Sequence, residues 1–402
     1  MKKQTKKQSL KNVPPWDAKR HINQSVRDMP PSGIRKFFDL VNEMKGAISL
    51  GVGEPDFVTP WHVREACIYS LELGSTHYTS NKGMPELREA ICQEAKRDKG
   101  LEYDSSEEIL ITTGVSEGVD LAFRATLNPG EEAVVPEPCY VAYTPDIILA
   151  GGVPRTVPTH LENEFRVQRE DIARAVTGKT RSLLLSYPNN PTGAIMTRPD
   201  LEDLADVVME NDLIVISDEV YGELSYNRDH TSFAQLEGMK ERTIILGGLS
   251  KSHAMTGWRI GYALGDPALI GAMTKIHQYT MLCAPTMAQV AALEAMQAGK
   301  EEMLQMRHEY NLRRRLFVSG LNRIGLDCFE PKGAFYAFPS IEGFGLSSEE
   351  FAERLLHEQK VAVVPGNVFG ESGEGFLRCS YATSREELIE ALDRMETFIK
   401  SL

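Results

Sequence analysis

The strongest constraint on the fold of this chain is a set of short, almost wholly apolar runs that stop abruptly at polar residues. Arg181–Ser186 (RSLLLS), Leu213–Ser217 (LIVIS) and Arg242–Leu246 (RTIIL) are the clearest of them. A run of this length with no polar alternation has to be covered on both faces, as a strand is inside a parallel sheet sandwiched by helices. The segments between the runs fit that picture. Pro199–Asn211 reads as a helix, Glu107–Thr113 and Glu132–Pro136 as strands, and the stretches from about Ser116 to Leu127 and over Tyr140–Ala150 as helices. Arg259–Leu264 supplies one more strand. This alternation predicts an open α/β sheet.

From about Ala288 the pattern changes. A long polar helix runs through Glu301–Arg315 to Leu321, Gly333–Phe338 and Phe376–Tyr381 read as strands, and Ser384–Ile399 is a final helix. Those pieces predict a smaller α+β unit. A length of 402 residues leaves room for two or three domains. The expected division is a flexible N-terminal tail (1–30), a Pro- and Gly-rich segment packing with the small domain (31–60), a large domain (61–297) and a small C-terminal domain (298–402).

Composition removes several classes of function. A net charge of −13 repels nucleic acid and anionic membrane surfaces. No apolar run approaches the ~18 residues of a membrane span. Lys2, Lys3, Lys6, Lys7 and Lys11 are followed by no apolar stretch, so the N-terminus does not read as a secretory signal. Cys67, Cys92, Cys139, Cys283, Cys328 and Cys379 are scattered, which predicts reduced thiols and a cytoplasmic location. Gly178-Lys179-Thr180 resembles the end of a phosphate-binding loop, but Ala173 stands where its first Gly is required. No H-E-x-x-H or G-x-S-x-G occurs, so no metal and no serine nucleophile is expected.

What remains is a set of polar residues at successive strand ends, where open α/β sheets bind their ligands. Leu213–Ser217 runs into Asp218-Glu219-Val220-Tyr221, Arg181–Ser186 into Tyr187-Pro188-Asn189-Asn190-Pro191-Thr192-Gly193, and Arg242–Leu246 into Gly247-Gly248-Leu249-Ser250-Lys251. Singly, each has a bland explanation: a turn cap for Asp218, an Asx-turn for Asn190, a surface lysine for Lys251. Jointly they call for a site.

The strings GVGEPDF (Gly51–Phe57), YTSNKG (Tyr78–Gly83), YPNNPTG (Tyr187–Gly193), SDEVY (Ser217–Tyr221), SKSHAMTGWRIGY (Ser250–Tyr262), GAFY (Gly333–Tyr336) and FLRCSYA (Phe376–Ala382) occur in order along the chain. In this the chain resembles the class I/II aminotransferases, the pyridoxal-phosphate (PLP) enzymes of fold type I. It looks most like the bacterial and archaeal aspartate and aromatic aminotransferases. The resemblance implies a large domain with a mostly parallel sheet between helices, a smaller α+β domain, and transfer of an amino group from an L-amino acid to 2-oxoglutarate by a ping-pong mechanism. It implies Lys251 as the Schiff-base lysine, Asp218 on the pyridine nitrogen, Tyr221 and Asn190 on the ring's phenolic oxygen, and Tyr140 stacked on the ring. The phosphate would be held by the backbone of Val115, Ser116 and Glu117, by Ser250 and by Arg259. Arg378, with Asn190 and the backbone of Gly53, would hold the substrate α-carboxylate. Tyr78 would reach the phosphate of a neighbouring subunit, which implies a homodimer with shared sites.

Two departures stand out. Gly248 replaces a Ser common three residues before the lysine, leaving Ser250 as the replacement hydroxyl. Ser116 stands near a Lys used by some dicarboxylate-specific relatives, and no Arg lies between Lys275 and Lys300. Either Arg35 or Lys36 in the segment Gly33–Phe38 swings toward a distal carboxylate and away from a ring, or that segment only packs between the domains. A PLP-dependent C–S lyase is the alternative of the same fold. A PLP-binding regulator is disfavoured because about thirty residues before Gly33 are too few for a winged helix.

Overall fold

Seven strands form the central sheet of the computed structural model, in the order β2-β8-β7-β6-β5-β3-β4. The structure describes residues 16–31, 33, 44, 46–226 and 230–402. The strands are β2 (Ile109–Thr112), β3 (Glu132–Glu137), β4 (Val153–Pro158), β5 (Thr180–Ser186), β6 (Ile214–Asp218), β7 (Thr243–Gly248) and β8 (Gly261–Leu264), with β1 (Ile48–Ser49) preceding them outside this sheet. β4, β3, β5, β6 and β7 are parallel, and β8 runs antiparallel between β7 and β2. The apolar runs of the sequence are therefore its buried centre: Leu183, Leu184, Val215, Ile216, Ile244 and Leu246 are almost wholly shielded.

Met1–Pro31 and Ser32–Leu402 are separate compact units. In the first, Asp17 caps a short 3-10 turn (Ala18–His21), Asn23 caps helix α1 (Gln24–Asp28), and Trp16 stacks on His21. The five N-terminal lysines, and Arg35 and Lys36, lie outside the described residues.

In the second unit, helices cover the sheet. In chain order they are α2 (Trp61–Glu72), α3 (Pro85–Lys99), α4 (Val115–Thr126), α5 (Tyr143–Leu149), α6 (Arg169–Ala175), α7 (Arg198–Glu210), α8 (Pro267–Thr280) and α9 (Thr286–Ala298). Helix α7 starts with a capping box between Thr197 and Asp200 and carries Pro in its first turn. It buries Leu201, Leu204, Val207 and Val208 at helical spacing against β5 and β6.

The C-terminal part adds α10 (Lys300–Arg323), α11 (Ser348–Gln359) and α12 (Arg385–Ile399). Strand β12 (Leu377–Ser380) lies between β11 (Val364–Pro365) and β9 (Tyr336–Ala337), antiparallel to both, while β10 (Val361–Ala362) pairs with β1.

Two expectations need correction, and one strand was not anticipated. The single long helix from Ala288 is two, α9 and α10, separated at Gly299, where a Cβ would come within 2.7 Å of the Ala295 carbonyl. The helix expected over Tyr140–Ala150 begins only at Tyr143. Strand β4 went unread because it is the outer edge of the sheet. Most of its side chains are exposed, so its sequence, VPRTVP, lacks the apolar run of an inner strand.

Candidate active site

The carboxyl ends of β5, β6 and β7 open into a cavity of about 720 Å³, a size suited to a small-molecule ligand. Lys251 follows β7, and its Nζ donates to the Gly53 carbonyl at 2.7 Å. Burial lowers its pKa to about 8; Glu54 and Asp218 oppose the shift, and Arg378 and Arg259 add to it. A lysine placed this way keeps a useful fraction of free amine near neutral pH.

Asp218 ends β6 and is buried. Its Oδ2 accepts from the Tyr143 hydroxyl at 2.8 Å and its Oδ1 from the Val220 amide at 3.1 Å. Burial pushes its pKa up to about 6, and those two hydrogen bonds hold it from rising further. At pH 7 it is an anion without a cation in direct contact. Tyr143 was missed in the sequence. It opens α5, three residues after Tyr140, and no spacing in the sequence marks it.

Of the adjacent asparagines, Asn189 is consumed by its own turn. Its Oδ1 accepts from the Thr192 amide and hydroxyl, and its Nδ2 donates to the Ser186 carbonyl. Asn190 faces the cavity. Its Oδ1 accepts from Arg378 Nη1 at 3.2 Å, which turns its amide N–H groups toward the open space. Tyr221 and Tyr140 are also on the wall.

At another end of the cavity, helix α4 begins directly after Gly114. Gly114 has φ +78°, and a Cβ there would lie 2.6 Å from Arg259 Nη2. Val115 and Ser116 line the cavity at this helix N-terminus beside Arg259 and Ser250. Backbone N–H groups and a guanidinium together make an anion site. Glu117 does not line the cavity. Its carboxylate accepts from the Thr113 amide and pairs with His277 Nδ1 at 2.7 Å. A side chain at Gly248 would press on Val115 Cγ2 at 3.0 Å and on the Ile260 carbonyl at 3.3 Å, so packing leaves little room for a serine.

The remaining wall comes from the C-terminal part. Arg378, on β12, is only 2 % exposed. It donates to Asn190 and to the Gly51 carbonyl, its guanidinium lies 4.8 Å from the Tyr336 ring, and its Nε is buried without a partner. Gly53 stands alongside; a Cβ there would meet the Tyr336 hydroxyl at 2.8 Å. Tyr336 had been read only as part of a matching string. Of the residues singled out from the sequence, Tyr78 stands apart: it is 81 % exposed and not on this cavity. Among the described residues no group of acidic, His or Cys side chains is placed to hold a metal.

Comparison with known proteins identifies the family. Residues 45–395 match the family model for aminotransferase class I and II. The chain is similar to the aspartate aminotransferase of Pyrococcus abyssi, at 47 % identity over 92 % of this chain and 96 % of that one. It is similar to aromatic-amino-acid aminotransferase 2 of Thermococcus litoralis, at 46 % identity over 94 % and 98 %. Among solved structures, the aromatic aminotransferase of Pyrococcus horikoshii superposes with a TM-score of 0.87 at 46 % identity, covering 91 % of this chain and 99 % of that one. The chain belongs to the class I and II aminotransferases, the fold type I enzymes that use pyridoxal phosphate.

Proposed function

We propose that this aminotransferase moves the amino group of an aromatic amino acid or aspartate to 2-oxoglutarate in two half-reactions, with PLP held in the cavity at Lys251. The observation that carries the reading is the meeting of Lys251, Asp218, Asn190, Tyr221, Arg259 and Arg378 on one cavity wall.

The donor set fits the cofactor. The α4 N-terminus and Arg259, which Gly114 allows to approach, suit its phosphate, and the buried anion Asp218 suits a protonated ring nitrogen. When bound, PLP draws electrons from the substrate α-carbon and carries the amino group between half-reactions. Lys251 would hold the cofactor covalently, and its free Nζ would take and return the substrate α-carbon proton. Asp218 keeps the ring nitrogen protonated, and Tyr143 keeps Asp218 charged. Asn190 and Tyr221 donate to the phenolic oxygen, and Tyr140 covers the ring face. Arg378 holds the α-carboxylate with a two-pronged contact.

Division into a cofactor-binding part (61–297) and a smaller part (298–402) is supported by the separation of the seven-stranded sheet from the three-stranded one, and the packing of 31–60 with the smaller part by the pairing of β1 with β10. A homodimer is supported by exposed apolar side chains on one surface. Tyr78 and Leu282 are exposed, as is Met287 at the edge, and the segments bearing them are tied by Asn81 donating to the Leu282 carbonyl and Thr286 to that of His77. Tyr78 on that surface would serve the partner's phosphate, and the backbone N–H of Glu117 remains for its own. Six free cysteines, with no membrane-crossing helix among the described residues, support action in the cytoplasm.

The choice of donor rests on the relatives' names and on the wall. Among the described residues, its cations are Lys251, Arg259 and Arg378. The test is a panel of amino acids with 2-oxoglutarate, run on wild type and Lys251→Ala. Phenylalanine, tyrosine or aspartate should be turned over fastest, and the variant should show no multiple turnover. Preference for a basic or small aliphatic donor would overturn the substrate reading, and steady-state activity in the variant would overturn the lysine.

A further inference from the structure

We propose that Tyr336 is a positioning residue: it donates its hydroxyl proton to Tyr221 and so aims the Tyr221 proton at the cofactor's phenolic oxygen, while bracing Arg378 from beneath. The two hydroxyls are 2.8 Å apart, and both side chains are buried. Each phenol has one proton, so in this contact one must donate and the other accept. If Tyr221 donated to Tyr336, its proton would be spent inside the protein and none would remain for the cavity.

The surroundings decide the direction. Tyr336 has the Arg378 guanidinium 4.8 Å from its ring centre. Burial raises both phenols, and Arg378 counteracts the rise in each. With that cation against its own ring, Tyr336 is the better donor of the pair. Accepting that bond also polarises Tyr221, which makes its own O–H a stronger donor. Strand pairing fixes Tyr336, because β9 places it opposite Ser380, two residues beyond Arg378 on β12. Gly53 completes the cradle, since any side chain there would push the Tyr336 hydroxyl aside.

This inference rests on the proposed placement of Lys251 and Tyr221 at the cofactor, and its test separates the two. The lysine–cofactor linkage changes colour as it gains a proton, and donation to the phenolic oxygen favours the unprotonated form. Spectroscopic pH titration would be run on PLP-loaded wild type, Tyr336→Phe, Tyr221→Phe and the double variant. Tyr336→Phe should move the midpoint to higher pH, by less than Tyr221→Phe does. In the Tyr221→Phe background, Tyr336→Phe should move it no further. An unchanged midpoint in Tyr336→Phe, or an equal shift with and without Tyr221, overturns the inference while leaving the cofactor site standing. A wild type that forms no lysine-linked chromophore overturns the site itself. Tyr336→Ala, which removes the ring as well, should also raise KM for the amino acid more than it lowers kcat, through the loosened Arg378; the reverse split counts against the brace.

Discussion

Asp218 should cost the cofactor-free protein stability, and removing its charge should recover it. The carboxyl is buried, receives two neutral hydrogen bonds and has its pKa raised from 3.8 to about 6. A carboxyl whose folded-state pKa lies above its unfolded value holds its proton more tightly in the folded chain. Stability therefore falls as pH climbs from about 4 to about 6 and stays at the lower level above that. At about 1.36 kcal/mol per pH unit, the full gap is worth about 3 kcal/mol at pH 7.5 and about 1 kcal/mol at pH 4.5. In Asp218→Asn the charge is gone, the amide oxygen still accepts from the Val220 amide, and the amide nitrogen donates to the Tyr143 hydroxyl, which itself donates to Ser186. Cofactor-free Asp218→Asn should thus be more stable than wild type by up to about 3 kcal/mol at pH 7.5 and by only about 1 kcal/mol at pH 4.5. The PLP-loaded variant should lose on the order of 100-fold or more in kcat with a much smaller loss of PLP affinity. Urea denaturation of both cofactor-free proteins at the two pH values measures the first claim. A gain that is absent at pH 7.5, or the same at both pH values, would refute the reasoning; wild-type turnover in the loaded variant would refute the assignment of the ring nitrogen to Asp218.

Gly114→Ala puts a methyl 2.6 Å from Arg259 Nη2 at φ +78°, so it should weaken PLP binding roughly 10-fold or more and destabilise the fold by about 1–2 kcal/mol; equilibrium dialysis and thermal melting would read both, and unchanged affinity would remove Arg259 from the phosphate. Mixing Tyr78→Phe with Lys251→Ala subunits should give hybrid dimers with one intact site, whose PLP affinity exceeds that of the Tyr78→Phe parent; equal affinity would mean that Tyr78 serves its own chain or none.

The central sheet was legible because β5, β6 and β7 are covered on both faces, and only such strands write an uninterrupted apolar run. The site residues that close those strands were legible for the same reason, since the polar residue after the run marks where the sheet opens. β4 was not, because an edge strand carries exposed side chains and hides its period. The break at Gly299 was not, because α9 and α10 are both good helix-forming sequence and a single glycine is tolerated inside a continuous helix. Tyr143 and Tyr336 escaped notice for a related reason. Their importance lies in what their hydroxyls reach across the fold, Asp218 from α5 and Tyr221 from β9, and neither distance is written in the spacing of the chain.

The two halves of the cavity are encoded in different stretches of the chain and hang from different sheets. Lys251, Asp218 and the α4 N-terminus extend from the central sheet, whereas Arg378 and Tyr336 sit on the small antiparallel one. For an evolving lineage this is a separation of inheritance. Substitutions in the second stretch act on how the substrate is held, and reach the machinery for bond-making only through Tyr336. A parent enzyme could then diversify its diet by drift in one segment while purifying selection holds the other.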